Sequence, residues 1–228
     1  MTVLLLRLAG PLQSWGDSSR FTVRSTRHEP TKSGVLGLLA AAQGRRRTDS
    51  IEDLLQLRFG VRADQPGTVV RDFHTAHDQA GASMPLSHRY YLSDAVFVAG
   101  IEGEQALLEA LLAAVERPEF PLYLGRRACP VEGKLALGLR EGGLDDALST
   151  EPWQAAPWHR KRMPTVVTLD VHTDSAPEAP GEDVRDVPLS FDPSRREYGW
   201  RTVASSAIQL RNDVGTDEPD WLAALGDG

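Results

Sequence analysis

The side chains best suited to chemistry in this chain are cationic or aromatic, and they sit next to glycine, serine or threonine. Pro30-Thr31-Lys32-Ser33-Gly34 precedes an apolar run and has the pattern of a helix start. The unpaired amides and partial positive charge of such a start attract phosphate, and Lys32 and Ser33 would add donors. Gly125-Arg126-Arg127 is a second cluster, in which glycine allows close backbone approach and two adjacent guanidinium groups can hold successive phosphates. Gln13-Ser14-Trp15-Gly16, followed by Arg20, Arg24 and Arg27, adds a stacking face for a base at Trp15 and three further cations. In Arg71-Asp72-Phe73-His74, strand alternation puts Arg71 and Phe73 on one face and Asp72 and His74 on the other. His74 and His77, with Asp72 and Asp78 beside them, are the one group with metal-ligand residue types. If His74 ends a strand the two imidazoles need not converge, so no metal is expected. Each cluster also has a plain structural reading: Lys32-Ser33 as a cap with a solvated lysine, Trp15 as a core aromatic, Gly125-Arg126-Arg127 as a basic turn, and Arg45-Arg46-Arg47 as a solvated patch after a helix.

The elements that must position these residues follow from apolar spacing. Thr2 to Leu8 is a buried first strand ended by Ala9-Gly10-Pro11. Ser33 to Gln43 is a helix with Thr31 or Ser33 as its N-cap and Gly44 at its end. Ser50 to Gln56 is a short helix capped by Ser50, and 57–63 and 68–74 are strands. A long polar loop spans His74 to Arg89, a strand covers Tyr90 to Ala99, a helix Glu102 to Glu116, and a strand Leu135 to Leu139. The order strand, helix, strand, strand, helix, strand predicts an α+β chain with a ferredoxin-like (RRM-like) split βαβ domain over residues 1–140. Prolines crowd the chain after about residue 150, and short strands at 165–171 and 186–191 predict a small β-rich lobe over 141–211. Residues 212–228 are acidic and are expected to be a flexible tail.

Charge separates the same two regions. The 228 residues carry 25 Lys plus Arg and 32 Asp plus Glu, a formal net charge of -7. Residues 1–140 hold 17 basic and 15 acidic side chains, whereas residues 141–228 hold 8 and 17. An anionic partner is therefore expected for the first part. Usage of 41% hydrophobic and 25% charged residues is that of a globular chain rather than a disordered or membrane one. The lone Cys129 excludes an internal disulfide and suits the cytoplasm. There is no G-x-S-x-G, Walker loop, H-E-x-x-H or C-x-x-C, which removes the usual entries to hydrolase, nucleotidase and zinc chemistry. No cofactor and no catalytic residue is assigned.

Five blocks, in order, resemble a known family: Leu8 to Gly16, Pro30 to Leu39, Arg71 to Thr75, Tyr91 to Ala95, and Tyr123 to Pro130. They look like the Cas5 family of the RAMP superfamily, in its type I-E CRISPR Cascade form, the CasD subunits. The resemblance covers residues 1–130 and fades after 140. It implies a ferredoxin-like domain with a glycine-rich loop, here Gly125-Arg126-Arg127, and a thumb insertion near 75–89 that is short for the family. It further implies a cytoplasmic, non-catalytic subunit that grips the 5′ handle of the crRNA and caps the backbone filament. The backbone subunit CasC and the large subunit CasA would be its partners, with target DNA reached only through the complex and no membrane involved. The expected RNA contacts are Gln13, Trp15, Arg24, Arg27, Lys32, Ser33, Arg71, His74, Gly125, Arg126 and Arg127. Type I-C relatives cleave repeat RNA without metal using Tyr, Lys and His, so the alternative is an endoribonuclease drawing on Lys32, His74 and Tyr91. A scaffold that makes no RNA contact is the third reading.

Overall fold

The computed structural model describes residues 1–16, 19–20, 23–175 and 180–217. Its strands are β1 (Thr2–Ala9), β2 (Leu12–Gln13), β3 (Ser19–Arg20), β4 (Val23–Arg24), β5 (Arg58–Gln65), β6 (Thr68–His74), β7 (Ser87–Ser93), β8 (Val96–Gly103), β9 (Ala136–Glu141), β10 (Val166–Asp174), β11 (Glu182–Ser190) and β12 (Glu197–Arg211). The helices are α1 (Lys32–Ala42), α2 (Glu52–Leu55), α3 (Gln105–Glu116), α4 (Leu144–Thr150) and α5 (Pro157–Arg160). No helix among the described residues is long and apolar enough to cross a membrane.

β1 is apolar on both faces because the main sheet is covered on both faces. Leu4, Leu6 and Leu8 pack beneath α1 and α3, while Val3 and Leu5 meet Leu144, Ala147 and Leu148 of α4. A strand covered on both faces shows a continuous apolar run rather than alternation. The sheet order is β11-β12-β10-β5-β8-β1-β9. Within it β5-β8-β1-β9, joined through α1 and α3, has the expected split βαβ connectivity, and all of its pairs are antiparallel. The β-rich residues after 141 extend this same sheet, because β10 pairs with β5 over Val171 to Thr173.

Besides α4, α5 and β12, which the sequence does not announce, and α2, whose N-cap is Ile51 rather than Ser50, the chain departs from the expected elements in three main places. The strand expected over Tyr90 to Ala99 is two strands, separated where Asp94 adopts a φ of 57°. Aspartate tolerates this left-handed conformation better than most residues, and the bend carries the chain from one sheet to the other. β7 belongs to a second sheet, where it pairs with β6 along its length and with β2 and β4 near its ends. The polar stretch after His74 is therefore the tip of a β6–β7 hairpin, with strand resuming at Ser87 and a bridge between His77 and Ser83. Finally, the expected tail begins with fixed residues. Asn212 is buried and its side-chain amide donates to the carbonyls of Arg160, Met163 and Pro164, and Asp217 accepts from Thr165. Residues 218–228 of that tail lie outside the described residues.

α1 starts as expected. The Thr31 hydroxyl accepts from the Gly34 amide at 3.2 Å, and Gly44 follows the helix at φ 77°. Gly34 has a second role, since a Cβ there would lie 2.7 Å from Cε3 of Trp15. Thr31→Ala removes one cap hydrogen bond and is expected to destabilise the chain by about 1 kcal/mol in urea denaturation.

Candidate nucleic-acid interface

One groove of about 820 Å³ runs along α1. Its walls are α1 and the turn after it, the segment from Phe120 to Arg127, and the residues from Phe191 to Tyr198 that follow β11. Among the described residues seven arginines line it: Arg24, Arg45, Arg46, Arg47, Arg126, Arg127 and Arg196. No carboxylate among the described residues does, although the chain as a whole is acidic. Phe120, Tyr123, Phe191 and Tyr198 are interleaved with them.

The seven guanidinium groups are not equivalent. Arg126 is a strut: it donates to the carbonyls of Tyr90 at 3.1 Å and Arg24 at 2.9 Å, and its guanidinium lies 4.7 Å from the centroid of the Tyr91 ring. Arg45 is bound through both terminal nitrogens to Asp53, and that contact holds the Asp53 carboxyl below the usual carboxylate range. The side chains of Arg24, Arg46, Arg47, Arg127 and Arg196 have no hydrogen bond or ion pair among the described residues, and all five are exposed. A row of unpaired guanidinium groups with rings between them suits phosphates and unstacked bases.

Of the residues expected to contact RNA, Arg24, Ser33, Gly125, Arg126 and Arg127 line this groove. Gly125 is essential to its shape. It has φ 88°, and a Cβ there would lie 1.8 Å from the Ser14 carbonyl oxygen. The turn docks on that segment through the Ser14 amide, which donates to Leu124 at 3.0 Å.

Three of the expected contacts belong to the interior instead. Gln13 is buried, its amide donates to the carbonyls of Leu8 and Ala95, and its oxygen accepts from the Trp15 indole at 2.9 Å. Trp15 is 1% exposed, with Gly34 against its ring, so it touches the groove only at an edge and offers no open stacking face. Lys32 is buried with its ammonium 2.7 Å from Asp174, which leaves it no free charge for a phosphate. The plain reading of Trp15 as core therefore holds, whereas that of Lys32-Ser33 as a cap with a solvated lysine does not, because Thr31 is the cap and Lys32 is buried and paired.

The remaining three are elsewhere. Arg27 pairs with Glu29 at 3.6 Å, and its amide bonds the Trp15 carbonyl. Arg71 and His74 are on the β6–β7 hairpin, where His74 pairs with Asp72 at 2.9 Å and His77 instead faces Ser83 at 3.4 Å. The sequence reading missed Phe120, Tyr123, Phe191, Arg196 and Tyr198, and it treated Arg45-Arg46-Arg47 as a solvated patch. The signal for the last part of the groove is Phe191 followed by Arg195-Arg196 and Tyr198, a basic and aromatic run inside an otherwise acidic third.

The family model of the CRISPR-associated protein Cas5 matches residues 3–204. The chain belongs to the Cas5 family. It is 37% identical over 159 residues to the CRISPR system Cascade subunit CasD of Escherichia coli (strain K12), a match covering 59% of this chain and 70% of that one. A chain of a solved CRISPR RNA-guided surveillance complex superposes with a TM-score of 0.76 at 31% identity, covering 96% of this chain and 95% of its own. A second structure, a Cas protein, superposes with a TM-score of 0.67 at 38% identity, covering 95% and 99%. The match to residue 204 carries the Cas5 resemblance well past 140, through β10 and into β12.

For this Cas5-family chain, Gly125→Ala is a sharp test of the groove turn. The substitution combines a disfavoured φ with a backbone clash, so the turn must shift at a cost of about 1–3 kcal/mol. Weaker RNA retention with a small drop in thermal midpoint is expected, measured by filter binding and calorimetry.

Proposed function

We propose that this Cas5-family chain is a non-catalytic crRNA-binding subunit that grips the 5′ handle of the crRNA in the arginine groove. The observation that carries this reading is the lining itself, which among the described residues has seven arginines with interleaved aromatics and no carboxylate. Single-stranded RNA is recognised on such surfaces, with phosphates on cations and splayed bases on rings. Arg71 and His74 would approach the same RNA from the β6–β7 hairpin, whose tip, close to residues 75–89, is the thumb that displaces a guide nucleotide. Phe73 on this hairpin is 65% exposed and Met84 at its tip 53% exposed, which suits a wedge. In this reading the chain caps the CasC backbone, helps to anchor CasA, and meets target DNA only through the complex, in the cytoplasm. Support for assembly comes from the relatives, one named as a Cascade subunit and one a chain of a surveillance complex.

The residues considered for cleavage do not favour an enzyme. Lys32 is buried against Asp174, Tyr91 is buried beneath Arg126, and His74 is paired with Asp72 on the hairpin. A general base must reach the 2′-hydroxyl, and the first two side chains are committed inside the protein. Photocrosslinking of a handle-labelled crRNA in the assembled complex tests the reading. Adducts at Tyr123, Arg127 or Tyr198 are expected, and adducts confined to other subunits would leave only the scaffold reading. Discrete cleavage of repeat RNA by the purified chain in EDTA, lost in His74→Ala, would establish the enzyme instead.

A further inference from the structure

Besides the Arg195-Arg196 run that reaches the groove, the acidic C-terminal third contains a second basic run, Trp158-His159-Arg160-Lys161-Arg162, which comprises most of α5 and the turn after it. It lies on the opposite face of the main sheet from the groove. The groove follows α1, which packs on the Leu4, Leu6 and Leu8 face. Trp153 and Ala155, which lead into α5, pack on Val167 and Leu169 and share Ile208 with the α4 cluster on the Val3 and Leu5 face.

The run is held rather than loose. Asn212 donates to the carbonyls of Arg160, Met163 and Pro164, so the backbone of the turn is clamped from inside. Two guanidinium groups are laid on indoles, Arg160 at 5.6 Å from Trp153 and Arg162 at 5.5 Å from Trp158. Stacking restrains a guanidinium while leaving its N–H fork directed outward, as bidentate phosphate contact requires. Lys161 and Arg162 are exposed, Trp158 is 49% exposed, and the Nε of Arg160 is buried without a hydrogen-bond partner.

The charge is not compensated locally. Carboxylates in the flanking segments are engaged elsewhere: Glu151 with Arg140, Asp213 with Arg211, and Asp217 with Thr165. Burial and the neighbouring Arg162 hold the His159 imidazole below its ordinary value, so near neutral pH the charge comes from Arg160, Lys161 and Arg162. Arg201 and Arg211, in the same third, are by contrast paired with carboxylates.

We propose that Trp158, Arg160, Lys161 and Arg162 form a second nucleic-acid contact, taking the phosphodiester backbone of a strand separate from the one in the arginine groove. Three cations at consecutive positions on a clamped turn meet successive phosphates, and the exposed indole offers a surface to a base. An acidic protein segment would satisfy the cations but would leave the indole without that role. RNA and DNA share the recognised chemistry, so both serve as probes.

The test uses the full chain with Arg47→Glu, Arg127→Glu and Arg196→Glu, which disables the groove, and reads fluorescence anisotropy with short labelled RNA or DNA. This background should retain weak binding to at least one probe, and the probe bound identifies the strand. Adding Lys161→Glu and Arg162→Glu should weaken that binding about tenfold and flatten its salt dependence. Both positions are exposed, so the thermal midpoint should not move, and Arg162→Lys should retain most of the binding. No binding in the groove-disabled background, or equal binding after the second pair of substitutions, overturns the proposal. So does competition by poly-glutamate as strong as by unlabelled nucleic acid, which would make the occupant an acidic protein. Failure of the groove itself reads out separately, as unchanged RNA binding in the first set of substitutions.

Discussion

Glutamate at Arg47, Arg127 and Arg196 together is expected to reduce RNA affinity by about a hundredfold or more at moderate salt, with little change in stability. Those three lie in the three walls of the groove, one after α1, one in the Gly125 turn and one before β12. Each is exposed and has no partner among the described residues. Surface substitutions of that kind usually stay within about 0.5 kcal/mol of the parent. Binding is different, because each phosphate neutralised on a single strand contributes about 0.7 to the slope of log affinity against log salt. Losing three contacts should flatten the slope by about 2, and reversed charge adds repulsion at the same places. Arg126→Ala provides the contrast. It removes a strut bonded to Tyr90 and Arg24 and stacked on Tyr91, so stability and binding should fall together. Binding titrations at several salt concentrations, with calorimetry alongside, separate the cases. Unchanged affinity and slope in the triple variant would remove the groove as an RNA site.

What could be read from the sequence was whatever is decided within a few residues. The cap at Thr31, the end of α1 at Gly44 and the need for glycine at position 125 all depend on local backbone preferences. The two-faced apolar run of β1 likewise announces a central strand. The fate of Lys32 was not local, because its partner Asp174 lies 142 positions away, and Gln13 is consumed by Ala95 across 82. A lysine at a helix start is the same signal whether it faces phosphate or a buried carboxylate. Arg196 and Tyr198 were hidden for the converse reason, since they reach the groove only because β11 packs against α1, bringing Phe191 against Gly37. Glycine-rich motifs marked one wall of the site, and tertiary packing supplied the opposite one.

Asp174→Ala should destabilise the chain by about 3–5 kcal/mol, because it leaves largely buried cations without their shared partner. Its carboxylate accepts from the Lys32 ammonium at 2.7 Å, the Phe59 amide at 3.0 Å and the Arg201 guanidinium at 2.7 Å. Burial pulls the Arg201 guanidinium down, and the Asp186 and Asp174 carboxylates overcome it and hold it above its ordinary value. Asp186 also accepts from the Lys32 amide at 2.8 Å, so the two carboxylates tie the start of α1 to β10, β11 and β12. With Asp174 gone, the buried Lys32 ammonium loses its carboxylate partner in the junction. A fall in thermal midpoint of roughly 10 °C is expected for a chain of this size. The consequence for RNA follows from the same geometry. Phe191 lies 3.3 Å from the Cβ position of Gly37, so the wall that carries Arg196 and Tyr198 keeps its distance from α1 only while this junction holds. RNA affinity should therefore fall at temperatures where the variant is still folded, while its salt slope stays near that of the parent because no groove cation has been removed. A midpoint within a degree or two of the parent would show that the junction is not what holds the two halves of the groove together.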